Sequence, residues 1–111
     1  MKFSLITPSH TNAPYIQELY ESIKNQIHNN WEWIIYLNGN ATLDHLSFIK
    51  DDRVKIHTDQ TNNKNVGYHK NKAFYCGSGD ILVEVDHDDL LLPNCLEKLQ
   101  IAYNNNPDIG F

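Results

Sequence analysis

Positive charge is the first thing this 111-residue chain has little of: nine Lys and Arg stand against fourteen Asp and Glu, for a formal net charge of −5 at pH 7. A chain so balanced has no basic stripe to follow a nucleic-acid backbone, which excludes nucleic acid as a general partner. A nucleotide is not excluded, because a bound metal ion reverses the local sign. Cysteine is scarce as well. Cys76 and Cys95 have neither metal-ligand nor redox spacing and read as reduced, half-buried helix residues of a cytoplasmic protein. No apolar run reaches the roughly 20 residues of a transmembrane segment. The amino end, Met1-Lys2 leading straight into Phe3-Ser4-Leu5-Ile6, lacks the pattern of a signal peptide. The six histidines are scattered without the paired spacing of a zinc site and read mostly as surface residues. What is present, 41% hydrophobic and 21% charged residues, is an ordinary globular composition, enough for one modest core and a single domain over residues 1–111.

Along the chain, strand-like and helix-like apolar patterns alternate. Residues 3–7 form a first strand that ends at Thr7-Pro8-Ser9-His10. Thr11-Asn12 offers a helix cap, Pro14 suits a first helical turn, and Ile16, Leu19, Tyr20, Ile23 and Ile27 recur at helical spacing. Residues 31–37 make a second strand, closed by Asn38-Gly39-Asn40. Thr42 caps a short helix with Leu43, Leu46 and Ile49 inward, and residues 53–57 make a third strand, more polar and therefore nearer an edge. A polar loop over 58–65 precedes a helix over 67–76, which Gly77-Ser78-Gly79 stops. Residues 80–85 form the fourth strand, and Pro93 opens a last helix with Leu92, Leu96, Leu99 and Tyr103 on one stripe. Ile109-Gly110-Phe111 starts a fifth strand.

Strand–helix alternation favours an α/β fold with a mostly parallel sheet and right-handed crossovers. In such a sheet all strand carboxyl ends lie along one edge, where ligands bind at the switch in strand order. Thr7-Pro8-Ser9, Leu37-Asn38-Gly39, Thr58-Asp59 and Asp86-His87-Asp88 are therefore expected around one crevice. The fourth strand ends in three carboxylates, Asp86, Asp88 and Asp89, within four residues. Anionic groups packed so closely repel unless a cation intervenes, and an all-oxygen site suits Mg²⁺ or Mn²⁺, which then commonly also touches phosphate. The competing reading is a turn or helix cap, since Asp side chains bond to nearby backbone amides. In an extended segment Asp86 and Asp88 share one side, while Asp89 points the other way as a supporting or capping residue.

At this point the residues resemble a known family. Ser4-Leu-Ile-Thr-Pro-Ser-His10, Tyr20-Glu-Ser-Ile-Lys-Asn-Gln26, Trp31-Glu-Trp-Ile-Ile35, Asn65-Val-Gly67 before Lys70-Asn71, Gly77-Ser-Gly-Asp80, and Val85-Asp-His-Asp-Asp-Leu90 with Pro93 behind it occur in the order and spacing of the N-terminal, nucleotide-sugar-binding half of family 2 glycosyltransferases. The resemblance covers essentially the whole chain. It implies the GT-A fold, a three-layer α/β/α sandwich, truncated here before the acceptor half. It also implies a donor nucleotide-diphosphate sugar, with UDP the default. Asp86 and Asp88 would coordinate a divalent cation, Mn²⁺ or Mg²⁺, that bridges the donor diphosphate and acts as a Lewis acid on the leaving group. Pro8, Ser9 and His10 would line the nucleoside pocket, with Asn38 of the second-strand loop beside them, and Gly67 and Lys70 would belong to the same site. The position of Lys70 usually holds an arginine that pairs with phosphate; a lysine is a point charge without the bidentate fork. His69 or Lys72 could assist.

Two departures matter. Where the family commonly has acidic residues after the second strand, this chain has Leu37-Asn38-Gly39-Asn40, which changes the chemistry offered to a base. Glu84 lies inside the fourth strand and is expected beside a Lys or Arg of a neighbouring element, or else in the acidic site. The general base and the acceptor surface are expected beyond Phe111. The alternative to a transferase is a non-catalytic remnant or interaction module that keeps the fold. A phosphotransfer enzyme with an acidic Mg²⁺ site fits less well, because its nucleophilic Asp generally follows an early strand and here that strand ends in Thr7-Pro8-Ser9. An uncovered sheet edge and apolar helix surface lead to an expected homo-oligomer.

Overall fold

The computed structural model describes residues 1–12, 14–59 and 65–106. Its elements are β1 (Phe3–Ser9), α1 (Ile16–Lys24), β2 (Trp31–Leu37), a 3₁₀ turn (Asp44–Leu46), β3 (Val54–Thr58), α2 (Val66–Tyr75), β4 (Ile81–Glu84) and α3 (Cys95–Asn105). The four strands form one sheet in the order β3-β2-β1-β4, every pair parallel.

Strand periodicity assigns the two faces. Phe3, Leu5, Trp31, Trp33, Ile35 and Leu37 pack against Ile16, Leu19, Tyr20 and Ile23 of α1, Leu46 of the 3₁₀ turn, and Leu96 of α3. Ile6, Ile34 and Tyr36 point the other way, onto Ala73 of α2. Helices thus cover both faces, giving three layers. This is why β2 reads as an unbroken run, WEWIIYL, buried at all seven positions rather than alternating. The Trp33 ring stacks on Tyr20 with centroids 6.0 Å apart.

The winding places the crevice. From β1 through α1 to β2, and on to β3, the chain steps outward on one face. From β3 it returns through α2, on the other face, to pair β4 with the free side of β1. The winding therefore reverses between β1 and β4, whose carboxyl ends carry Ser9 and the aspartates, and a switch of this kind opens a ligand crevice.

At the opposite end of the strands the α2 face is polar. Glu32, only 2% exposed, receives Ser4 Oγ, Ser78 N and Ser78 Oγ on one oxygen and Lys55 Nζ, at 2.7 Å, on the other. Lys2 Nζ stands 3.6 Å away. Gly79 completes this junction: its amide donates to Ser4 Oγ, and a Cβ there would meet Lys2 O at 2.7 Å and Ser4 N at 2.9 Å, both parts of β1's approach. Gly79→Ala is therefore expected to destabilise the chain by about 1–3 kcal/mol, the range of overpacking, read as a lower urea midpoint; an unchanged midpoint would show that the β1–β4 junction yields without strain.

Several local expectations are corrected. Thr11-Asn12 does not cap α1, whose first flanking residue is Tyr15 without a side-chain cap. Asn12 instead accepts from Thr42 N at 2.8 Å, so Thr42 joins two loops rather than opening a helix. α1 ends at Lys24, which leaves Ile27 65% exposed; Leu43 and Leu92 are likewise exposed, outside the stripes that periodicity gave them. β1 runs through Pro8 to Ser9, β3 lies one residue later than expected, and β4 spans only Ile81–Glu84. The histidines are not mostly on the surface: His69 is buried, and His28, His45 and His87 are partly so. The fifth strand expected at Ile109-Gly110-Phe111 lies outside the described residues. Both cysteines are free and half-buried, as expected.

Candidate functional site

The site begins where β4 leaves the sheet. Val85 N still donates to Ile6 O at 2.8 Å, and Thr7 Oγ1 donates to Val85 O at 2.7 Å while accepting from Trp33 Nε1 at 2.9 Å. This buried chain of bonds ties β1, β2 and β4 together directly beneath the acidic residues. Beyond it the backbone turns: Asp89 N donates to Asp86 O, and Asp86 N donates to Asp89 Oδ2, both at 3.0 Å.

That turn changes the role of Asp89. Because the segment is not extended, Asp89 swings back toward its neighbours, and Asp86, Asp88 and Asp89 each offer a carboxylate oxygen within 4.8 Å of the others. All three residues are exposed. One oxygen of Asp89 holds the turn, as the capping reading required, while Asp86 and Asp88 make no side-chain hydrogen bond among the described residues. Hard, anionic, all-oxygen donors suit Mg²⁺ or Mn²⁺ and poorly suit a soft metal.

The segment after the turn is held from α1 and from Gln26 just beyond its end. Ser22 Oγ accepts from Leu91 N at 3.2 Å, Gln26 Nε2 donates to Leu92 O at 2.7 Å, and Gln26 Oε1 accepts from Leu96 N at 3.1 Å. Gln26 is 5% exposed, and its amide also donates to Ser22 O at 3.1 Å, so one buried side chain joins the end of α1 to the loop and to α3. Sequence reasoning gave Ser22 and Gln26 no role, although a polar pair at i, i+4 on the buried flank of an amphipathic helix was a signal for one.

The expected nucleoside side is equally well fixed. Asn38 N donates to Ser9 O and Asn40 N to His10 O, each at 2.9 Å, so the loops after β1 and β2 are zipped together. Gly39 sits at φ +59°, where a Cβ would meet His10 O at 3.1 Å, and both the dihedral and the close approach call for glycine. Pro8 lies inside β1 in register with Tyr36, and Asn38 is buried. Ser9, 3% exposed, has its hydroxyl engaged with Thr11 O and His87 Nδ1. His10 is exposed, its ring 6.3 Å from that of His87. Ser9, His10 and the aspartate turn therefore share one corner.

On the α2 face, Lys70 Nζ pairs with Glu84 Oε1 at 2.9 Å; the hydrogen bond and charge of Glu84, with a smaller contribution from Asp86, raise the lysine's pKa. Glu84 thus emerges beside a lysine of a neighbouring helix, as expected. Gly67, exposed in the first turn of α2, has no neighbour closer than Asn65 Oδ1, 3.4 Å from a built Cβ. His69, two residues on, is buried, with Nδ1 4.0 Å from Asp59 Oδ2, the same carboxylate that accepts the Tyr36 hydroxyl. Burial, then the Asp59 hydrogen bond, push the Tyr36 phenol well above its usual pKa.

Comparison with known proteins agrees with this fold. The family model described as Glycosyl transferase family 2 matches residues 4–111. A glucosyl-dolichyl phosphate glucuronosyltransferase of Haloferax volcanii is 28% identical over 97% of this chain and 36% of its own length. A GalNAc(5)-diNAcBac-PP-undecaprenol beta-1,3-glucosyltransferase of Campylobacter jejuni is 29% identical over 93% of this chain and 35% of its own. Among solved structures, residues 1–349 of S. aureus TarS with UDP-GlcNAc superimpose with a TM-score of 0.82 at 22% identity, over 96% of this chain and 32% of that one. The same protein with UDP gives 0.80 at 24% identity. At these identities the structures establish the fold, which is that of the N-terminal part of a GT-A glycosyltransferase. The chain spans about a third of the length of the curated relatives it matches.

Proposed function

Because this chain belongs to glycosyl transferase family 2, we propose that it forms the donor-binding part of a metal-dependent glycosyltransferase, which holds a nucleotide-diphosphate sugar for transfer to an acceptor hydroxyl. The observation that carries this reading is the convergence of three exposed carboxylates at the β1–β4 switch point, against the loop that ends β1. Like charges so close repel, and a cation seated between them would relieve that repulsion.

In this reading Asp86 and Asp88 hold Mn²⁺ or Mg²⁺, with Asp89 shaping the turn. The ion would supply charge neutralisation on the departing nucleoside diphosphate. The loops after β1 and β2, through Pro8, Ser9, His10 and Asn38, bound the nucleoside side. Gly67 leaves the start of α2 open for close approach. Lys70, released from Glu84 by a competing anion, adds a positive charge toward phosphate. UDP is the donor nucleotide we favour, supported by the complexes of S. aureus TarS with UDP and UDP-GlcNAc. The acceptor and its general base belong, in this proposal, to the portion of the relatives that this chain does not span. No helix among the described residues is long and apolar enough to cross a membrane, and the two free thiols support a cytoplasmic setting.

The test is thermal unfolding of the chain with UDP, GDP or ADP, each with and without Mn²⁺. A ligand that binds only the folded state at about 100 times its Kd adds roughly 2.7 kcal/mol, so UDP with Mn²⁺ should raise the melting temperature by several degrees or more, and UDP alone by much less. No shift with any of the three nucleotides would overturn the donor-binding reading. The exposed leucines Leu82 on edge strand β4, Leu90 and Leu92 further lead us to propose that the isolated chain self-associates. Light scattering should show a dimer or larger species, and a monomer at every concentration would refute it.

A further inference from the structure

His87, the residue between the two aspartates, has no part in holding metal or donor as proposed, yet it makes a bond whose direction can be worked out. Its Nδ1 lies 2.8 Å from Ser9 Oγ, and Ser9 Oγ lies 2.7 Å from Thr11 O. A hydroxyl has one proton to donate, and a carbonyl can only accept. The Ser9 proton therefore goes to Thr11, and at the His87 contact Ser9 is the acceptor. His87 Nδ1 must carry the hydrogen, which leaves Nε2 a bare acceptor in the neutral ring.

From this relay we propose that His87 is a positioning residue, a clamp that fixes the metal-binding turn against the loop after β1 and so couples the metal and nucleoside sides of the crevice. The inference rests on the donor-binding reading. The turn needs such a clamp, because its other hydrogen bonds, between Asp86 and Asp89, stay within itself. Among the described residues, His87 is the one side chain of the 86–89 turn that bonds across to β1. The partner it reaches is rigid: Ser9 is buried, its carbonyl accepts from Asn38 N, and its hydroxyl is oriented by Thr11. A ring anchored in this way also presents a fixed face toward His10. An Asp-His-Asp turn without the clamp would still carry its carboxylates, but their position relative to a bound nucleoside would fluctuate.

Two experiments decide it. The first needs no ligand. Long-range proton–nitrogen NMR of the chain in mildly alkaline buffer, where an imidazole is neutral, should show His87 as the Nδ1–H tautomer, and Ser9→Ala should shift it toward Nε2–H. The second titrates UDP with and without Mn²⁺. His87→Ala is expected to reduce the metal-dependent gain in UDP affinity about tenfold, the size of one net hydrogen bond, while metal-free UDP binding is unchanged, and Ser9→Ala is expected to reduce the same metal-dependent gain by a similar factor. The double variant should be no worse than either single one. His87→Asn, whose amide N–H falls near the Nδ1 position, should recover most of the gain. An Nε2–H tautomer in the unmodified chain, additive losses, or an Asn variant no better than Ala would each overturn the clamp. If the unmodified chain shows no metal-dependent UDP binding while the tautomer is as expected, the donor-binding reading falls instead, and the coupling falls with it.

Discussion

Asp88→Asn is expected to abolish the Mn²⁺-dependent part of UDP binding while leaving the fold without ligand as stable as before, or slightly more so. Asn keeps the volume and one acceptor oxygen but loses the charge a hard divalent ion needs. Three carboxylate oxygens lie within 4.8 Å of one another, and removing one relieves repulsion in the apo state. The residue is exposed, so the change in intrinsic stability should stay within about 0.5 kcal/mol. The stabilisation by saturating UDP and Mn²⁺ should fall from about 2.7 kcal/mol, on the order of 10 °C for a domain of this size, to the metal-free value. Asp86→Asn should behave alike. Asp89→Asn should also weaken the turn itself, since Asp89 accepts from Asp86 N. Melting curves with and without metal check all three. An Asp88→Asn chain that keeps the full metal-dependent shift would place the cation elsewhere.

The largest effect on stability is expected at the far end of the sheet. Glu32→Ala leaves Ser78 N and Ser4 Oγ without their acceptor and strands Lys55 beside a void. Orphaned buried donors cost about 1–3 kcal/mol each, and breaking a buried ion pair about 3–5 kcal/mol. Lys55 is half-exposed and can return to water, so a total of roughly 3 kcal/mol is expected, a large share of the 5–15 kcal/mol that holds a typical domain. Glu32→Gln should cost less, because its oxygen can still accept from Ser4 and Ser78, while Lys55, left facing an amide that only donates, turns to water.

The same carboxylate predicts a pH dependence. Burial opposes ionisation of Glu32, but hydrogen bonds from Lys55, Ser4 and Ser78 outweigh it and lower its pKa. Asp51 is lowered to about 2, chiefly by its Arg53 hydrogen bond, against the cost of burial. For a carboxylate whose folded pKa lies below its unfolded one, the stabilisation is complete above the unfolded value and fades as pH falls toward the folded value. Stability should therefore decline from roughly pH 4–5 downward. The gap between the natural chain and Glu32→Gln, a mimic of the protonated side chain, should narrow across that range in urea titrations. A gap that stays constant would show that the charge on Glu32 contributes nothing.

How far the sequence alone reached depends on which residues carried the signal. The WEWIIYL run of β2 announced a strand buried on both faces, and the buried spacing of Ile16, Leu19, Tyr20 and Ile23 announced α1; such patterns are local and repeat. The acidic turn was legible because Asp86, Asp88 and Asp89 follow a strand directly. Element ends were less legible. Ile27 continued the α1 stripe on paper, yet the chain breaks away after Lys24 so that Ile27 N can bond Pro93 O, on a segment far along the chain. Asn12 resembled a cap, but its partner is Thr42, in the loop region beyond β2.

What the sequence by itself determined was the α/β class, the parallel sheet, the family and the edge where the carboxylates gather, since composition, periodicity and motif order are written along the chain. Only the tertiary structure decided that Asp89 turns inward with its neighbours, that Lys70 is paired with Glu84, that Glu32 is locked at the base of the sheet, and that Ser9 faces His87. Those outcomes depend on which distant side chain satisfies a buried donor or charge. That choice is made only when strands far apart in sequence are brought side by side, so no local pattern encodes it.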